Sequence, residues 1–167
     1  RSSRTGITAA ERATTILAIV DPASKPSDFN RPGQVFPLVA KEGGVLRRAG
    51  HTEAAVDLAR MAGLQPAGVL CEILDEDGDR ATRPRLLELA RQYNLPIISI
   101  EQLISYRRQR EKLVYRKAEA KLPSKYGDGK IIAYGVKYES QEPVVYVIGD
   151  PATVAAPLVR LHSSCFT

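Results

Sequence analysis

Residues 31–72 read RPGQVFPLVAKEGGVLRRAGHTEAAVDLARMAGLQPAGVLCE, and no other stretch of the chain is as informative. Four glycines in it permit tight turns and close backbone approaches that a side chain would block: Gly33, Gly43, Gly44 and Gly50. Arginine, histidine and threonine lie beside them, and these side chains supply a cation, an imidazole and a hydroxyl. The stretch therefore predicts a phosphate and metal site.

A helix is predicted to begin within this stretch, with Thr52 as its N-cap and Gly63 at its end. Its inward face is predicted to consist of small and apolar residues: Ala55, Leu58, Ala59 and Ala62. Arg48 and His51 would then lie with Thr52 at a helix N-terminus, where free N–H groups and the helix dipole favour an anion. A phosphate group is the natural ligand for such a position.

The surrounding sequence predicts an α+β fold for this part, with an α/β-type sheet flanked by helices. Thr8 and Glu11 form a capping-box pattern that opens a helix through about Val20. Apolar runs predict strands at residues 35–39, 68–74 and 96–100, and helical patterns follow at residues 84–93 and 101–112.

The character of the chain changes after residue 108. Residues 109–117 are predicted to be a basic linker, and the apolar runs KIIAYGVKY, VVYVIGD and PLVRLHS follow it. These runs predict the β-rich start of a second α+β domain. The sequence thus predicts domains at residues 1–108 and 118–167.

Composition narrows the functional classes further. The net charge of +5 is concentrated between residues 107 and 125, and a basic helix end followed by a linker is usually a solvated face. The aromatic interleaving and zinc spacing typical of nucleic-acid modules are absent from the sequence, so we expect no nucleic-acid partner. The longest apolar runs are far shorter than the roughly 20 residues of a membrane span. Cys71 and Cys165 are too few and too separated to suggest a disulfide framework.

Four motifs in residues 31–72, RPGQ, GGVL, RAGHTEA and GVLCE, resemble the signature of the 3,4-dihydroxy-2-butanone 4-phosphate synthase family. A second set, AEAKLPSKYGDGKIIAYG and RLHSSC, is similar to the opening of GTP cyclohydrolase II. The order of the two is that of the fused riboflavin enzyme of many bacteria and plant plastids. The resemblance implies a lyase that converts ribulose 5-phosphate to 3,4-dihydroxy-2-butanone 4-phosphate and formate, fused to a GTP hydrolase. It also implies a homodimer in the cytoplasm or the plastid stroma.

The resemblance assigns roles within the synthase part. His51 would be a ligand of Mg²⁺ or Mn²⁺, although a lone histidine at a helix start is otherwise more often a capping or packing residue. Glu72 would be a catalytic proton shuttle at the end of a buried strand, where desolvation favours its neutral form; the alternative is a strand-end carboxylate facing water. The substrate-binding set implied for ribulose 5-phosphate is Arg48, Gly50, His51, Thr52 and, more weakly, Thr5.

The cyclohydrolase motif implies a second set of roles. Five residues would contact GTP: Arg160, Leu161, His162, Ser163 and Ser164. Cys165 would be one ligand of Zn²⁺ with its partners beyond the end of the chain, or else a small buried hydrophobe. Because the sequence begins without methionine and stops within this motif, we expect a fragment of a longer polypeptide that is inactive by itself.

Two positions depart from the family patterns. Gln34 occupies the place of the histidine in the RPGH motif, and glutamine cannot exchange a proton near neutral pH. Ser164 occupies the place of a glutamate in the cyclohydrolase motif. These changes predict lost or impaired synthase activity, and they leave open an alternative in which the protein is a non-catalytic partner or regulator of riboflavin enzymes.

Overall fold

The computed structural model describes residues 6–163. The chain divides into two compact units, and the division falls between Arg110 and Glu111. Helices make up the first unit and an antiparallel sheet makes up the second. The predicted α+β class is therefore confirmed.

The first unit contains four α-helices and two short 3-10 helices. The α-helices are α1 (Ala9–Val20), α2 (His51–Met61), α3 (Arg83–Gln92) and α4 (Ile100–Arg110), and the 3-10 helices are Pro26–Asp28 and Gly44–Leu46. The capping box of α1 is present as predicted, since Thr8 Oγ1 accepts a hydrogen bond from the Glu11 N–H at 3.3 Å and Glu11 Oε2 accepts one from the Thr8 N–H at 3.3 Å.

The strands predicted in the first unit are wrong. Residues 35–39, 68–74 and 96–100 form no β-ladder, and the described part of this unit contains only an isolated bridge between Leu74 and Arg80. A strand requires a neighbour that satisfies its N–H and C=O groups, and these runs have none within residues 6–110. Their apolar side chains are largely exposed rather than buried.

A small core holds the first unit together between the 3-10 helix Gly44–Leu46, α2 and α4. Val45, Ala54 and Leu103 are buried in it, and Ile100 and Ile104 pack against them. The core therefore fixes residues 41–50, the glycine-rich loop, against the first turns of α2.

The buried face of α2 differs from the predicted one. Glu53, Ala54 and Asp57 are buried, whereas Leu58 is exposed. The reason is that the loop before α2 turns its backbone N–H groups toward the helix, and carboxylates accept hydrogen bonds that alanine and leucine cannot.

The second unit is a three-stranded antiparallel sheet in the order β1-β2-β3. The strands are β1 (Val114–Lys121), β2 (Gly129–Val136) and β3 (Val144–Ile148), with Val114 opposite Val136 and Ala133 opposite Val144. The structure corrects the predicted linker, because β1 begins inside residues 109–117. All side chains of β1 are exposed, so its sequence contains no apolar run from which a strand could be predicted. The predicted strand in PLVRLHS is also wrong, since residues 157–163 are irregular.

None of the helices within residues 6–163 combines the length and the apolar character needed to cross a lipid bilayer.

Candidate functional site

The N-terminus of α2 brings together the residues predicted to bind substrate. Gly50 is the N-cap, and its carbonyl oxygen accepts the Ala54 N–H at 3.0 Å, the first hydrogen bond of the helix. His51 and Thr52 are therefore the first two helical residues, and the prediction that Thr52 caps the helix is wrong by two positions. The Gly50 backbone has the extended conformation typical of an N-cap, with φ −125° and ψ 156°. His51 is exposed at the helix start and Thr52 is half-buried.

Arg48 forms an ion pair with Glu53, the third residue of α2. Its Nη2 lies 2.6 Å from Glu53 Oε1, and the same oxygen accepts the Lys41 N–H at 2.9 Å. The hydrogen bond from Arg48 is the main reason that the pKa of Glu53 is lowered to about 2. The hydrogen bond to Glu53 raises the pKa of Arg48 in turn. Both groups are therefore charged at neutral pH.

Asp57 makes a second set of contacts one turn further along α2. Its Oδ2 accepts the Val45 N–H at 2.8 Å and lies 2.7 Å from Nη1 of Arg107 on α4. Arg107 Nη1 also donates to the Gly43 carbonyl oxygen at 2.8 Å. This corrects the expectation of a solvated basic face at Arg107, whose side chain is only 6% exposed, whereas Arg108 and Arg110 at the same end of α4 are exposed as expected.

Sequence reasoning missed both carboxylates. Glu53 and Asp57 are four residues apart, which places them on one face of a helix. That face turns toward a loop whose paired glycines leave its backbone N–H groups accessible. Acidic residues at this spacing, directly after a Gly-Gly turn, were the available signal.

Glu72 does not have the environment predicted for it. Its side chain is 71% exposed and lies in an irregular segment, where Oε1 is 3.8 Å from Arg80 Nη1. The isolated bridge between Leu74 and Arg80 brings this arginine close. Because no strand forms here, the expected burial of the Glu72 carboxylate is wrong.

Gln34 is exposed on the loop before the 3-10 helix Gly44–Leu46. It lies beside the segment that precedes α1, since a Cβ at Gly6 would be 3.7 Å from the Gln34 Cβ and Cγ. Thr5, the weaker substrate-binding candidate, lies outside the described residues.

His51 also borders an open, largely apolar cavity of about 400 Å³. Its lining includes Leu58, Val69, Leu70, Ile98 and Leu103. Parts of two of the runs that were predicted to be strands, residues 68–70 and 98–100, line this cavity instead of pairing in a sheet.

The side chains available for a metal ion are few. No group of three or more His, Cys, Asp or Glu residues that could hold an ion is found within residues 6–163. Glu53, two residues from His51, already accepts hydrogen bonds from Arg48 and Lys41. At the start of α2 this leaves His51 without a second ligand among residues 6–163, so the described residues by themselves do not fit the expected Mg²⁺ or Mn²⁺ site.

The predicted GTP-binding stretch lies at the end of the described chain. Arg160, Leu161, His162 and Ser163 are exposed in an irregular segment. Ser164 and the predicted zinc ligand Cys165 lie outside the described residues.

Comparisons with known proteins match both units. The family model of 3,4-dihydroxy-2-butanone 4-phosphate synthase matches residues 1–106, and that of GTP cyclohydrolase II matches residues 115–167. The chain is 55% identical over 166 residues to the riboflavin biosynthesis protein RibBA of Bacillus cereus and 56% identical to that of Bacillus mycoides. Each alignment covers 99% of this chain and 42% of the relative.

A solved structure is also similar. The crystal structure of RibBX, a two-domain 3,4-dihydroxy-2-butanone 4-phosphate synthase from A. baumannii, superposes with a TM-score of 0.78 at 46% identity, covering 89% of this chain and 44% of that one. The chain thus spans less than half the length of these relatives. It belongs to the 3,4-dihydroxy-2-butanone 4-phosphate synthase family, and the residues that follow the synthase segment match the family model of GTP cyclohydrolase II.

Proposed function

We propose that this protein acts in riboflavin biosynthesis by converting D-ribulose 5-phosphate to 3,4-dihydroxy-2-butanone 4-phosphate and formate. The same polypeptide would also carry a GTP cyclohydrolase II activity, in the part of the chain that follows the synthase segment. The observation that carries the proposal is the grouping of Arg48, Gly50, His51 and Thr52 at the start of α2, in a chain with 55% identity to RibBA.

The N-terminus of α2 binds the phosphate group in this proposal. The N–H groups of His51 and Thr52 have no acceptor within the helix, and the helix dipole favours a dianion there. Arg48 adds a guanidinium that is half exposed, and Thr52 adds a hydroxyl. These groups bind the phosphate end of ribulose 5-phosphate, and its carbon chain then extends away from the N-terminus of α2.

The proton transfers are assigned to Glu72. Its carboxylate is exposed, so it needs further structure around it before it can act on a substrate held at α2.

Gln34 cannot exchange a proton where the family has a histidine, and we propose that this slows the reaction. His51 would contribute one ligand to a Mg²⁺ or Mn²⁺ ion, and the remaining ligands and a partner subunit would have to come from outside the described residues.

A second function is favoured by the same departures. Gln34 and Ser164 both remove groups that the family patterns place in their sites. A protein that keeps the phosphate-binding loop but lacks these groups would serve as a non-catalytic partner of riboflavin enzymes. For the cyclohydrolase activity we propose GTP binding at residues 160–164 and a Zn²⁺ ligand at Cys165. Because Ser164 replaces a glutamate of that site, we expect this activity to be reduced as well.

Formate release from ribulose 5-phosphate in the presence of Mg²⁺ separates the two functions. We expect the full-length protein to release formate slowly and its Gln34→His variant to be at least about tenfold faster, since general acid-base catalysis contributes about 10²–10⁴-fold. A matched control is Gln34→Asn, which keeps an amide and is expected to give no gain. If neither the protein nor its Gln34→His variant releases formate, the synthase proposal fails and the non-catalytic role is favoured.

A further inference from the structure

A buried carboxylate that the proposed reaction does not use lies directly behind the substrate-binding residues. Glu53 is fully buried, and its Oε1 accepts both the Lys41 N–H at 2.9 Å and the Arg48 Nη2 donor at 2.6 Å. Lys41 and Arg48 are near the two ends of the glycine-rich loop. One oxygen atom of Glu53 therefore ties both ends of this loop to α2.

The position of this carboxylate depends on Gly50. A Cβ at Gly50 would lie 2.7 Å from Glu53 Oε2, closer than side-chain carbons normally approach. Oε2 is buried against this glycine and has no hydrogen-bond partner within the described part of the chain. Packing at Oε2 and hydrogen bonds at Oε1 thus hold the carboxylate in one orientation.

Arg48 retains the capacity to bind a ligand while it is paired. A guanidinium has five N–H donors, and the contact with Glu53 occupies the Nη2 group. The Arg48 side chain is 51% exposed, whereas Glu53 is not exposed at all. Because half of the Arg48 side chain is exposed, guanidinium N–H donors other than the one bound to Glu53 remain available to a ligand at the start of α2.

We propose that Glu53 is a positioning residue for ribulose 5-phosphate, holding the Arg48 guanidinium where the phosphate group meets it at the N-terminus of α2. The role rests on the proposed function and assigns no contact between Glu53 and substrate. A long, flexible arginine loses side-chain entropy when it binds a ligand, and prior fixation removes much of that cost from binding.

A double-mutant cycle at Glu53 and Arg48 tests this role. The affinity for ribulose 5-phosphate is measured by calorimetry on the full-length protein with Mg²⁺. Formate is measured in the same samples to record any turnover. Glu53→Gln keeps the side-chain length and removes the charge, and we expect it to raise Kd about tenfold. Arg48→Met is expected to raise Kd by at least the same factor. Because Glu53 acts through Arg48, adding Glu53→Gln to Arg48→Met is expected to change Kd less than twofold.

Asp57→Asn is the matched control. It neutralises the other buried carboxylate on the same face of α2, which contacts Val45 and Arg107 rather than Arg48. We expect this variant to melt at a lower temperature and, while folded, to bind ribulose 5-phosphate within twofold of the wild type. If Glu53→Gln does not fold, Glu53→Asp takes its place in the same cycle, since it keeps the charge but shortens the reach to Arg48.

The outcomes distinguish the role of Glu53 from the function of the site. If the wild type binds and Glu53→Gln leaves Kd unchanged, or weakens binding equally with and without Arg48, the positioning role is overturned while the proposed function stands. If the wild type does not bind ribulose 5-phosphate, the proposed function fails and the role of Glu53 fails with it. Loss of affinity that disappears in the Arg48→Met background supports the role.

Discussion

Replacing Arg107 by leucine is expected to lower the free energy of unfolding by about 3–5 kcal/mol. Arg107 is 6% exposed and pairs with the buried carboxylate of Asp57 at 2.7 Å. Its removal leaves that charge inside the protein without its closest partner and also removes a donor from the Gly43 carbonyl. Urea denaturation of the two proteins measures the difference.

Arg60→Ala provides the matched control for this change. Arg60 pairs with the same carboxylate, at 3.4 Å from Asp57 Oδ1, but its side chain is 60% exposed. Exposed ion pairs contribute about 0–1 kcal/mol, so a loss of less than about 1 kcal/mol is expected. Equal losses in the Arg107 and Arg60 variants would contradict the view that the buried pair holds α2, α4 and the glycine-rich loop together.

Gly44→Ala is expected to lower the free energy of unfolding by about 3–4 kcal/mol, combining backbone strain with damage to a buried hydrogen bond. Gly44 has φ +59°, which an L-residue adopts at a cost. Its new Cβ would also overlap the carboxylate of Asp57 and displace it from the Val45 N–H. Chemical denaturation again measures the effect.

Gly63→Ala separates the two contributions to this loss. Gly63 follows the end of α2 with φ +71°, and a Cβ there would meet nothing within 4 Å. This control carries the backbone strain alone, and we expect it to cost about 1–2 kcal/mol. If Gly44→Ala costs no more than Gly63→Ala, the close packing of Asp57 against the glycine turn is wrong.

The helices were predictable because local signals determine their ends. Thr8 and Glu11 form the capping box that the pattern indicated, and Gly63 lies just past the end of α2. The start of α2 was misplaced because Thr52 is a better capping residue than Gly50 by propensity alone. The close approach of Glu53 Oε2, which leaves no room for a Cβ at Gly50, outweighed that propensity.

The sheet and the burial of the site depended on contacts that sequence patterns do not contain. The apolar run around Val69 and Leu70 fits a strand, but a strand forms only beside a partner, and none lies within residues 6–110. The strand β1 has a partner but no sequence signal, because its charged residues give no alternation of apolar and polar positions. Arg107 was predicted to lie on a solvated face and Glu53 was not singled out, since only the folded chain shows that both side chains are buried and paired.

The measurement that most directly tests the account is a crystal structure of the full-length protein with ribulose 5-phosphate bound. We expect the phosphate oxygens to lie about 2.7–3.2 Å from the Arg48 guanidinium, the Thr52 hydroxyl and the first N–H groups of α2. Arg48 is expected to remain paired with Glu53 in that complex. A phosphate group bound elsewhere, with the N-terminus of α2 empty, would contradict the account.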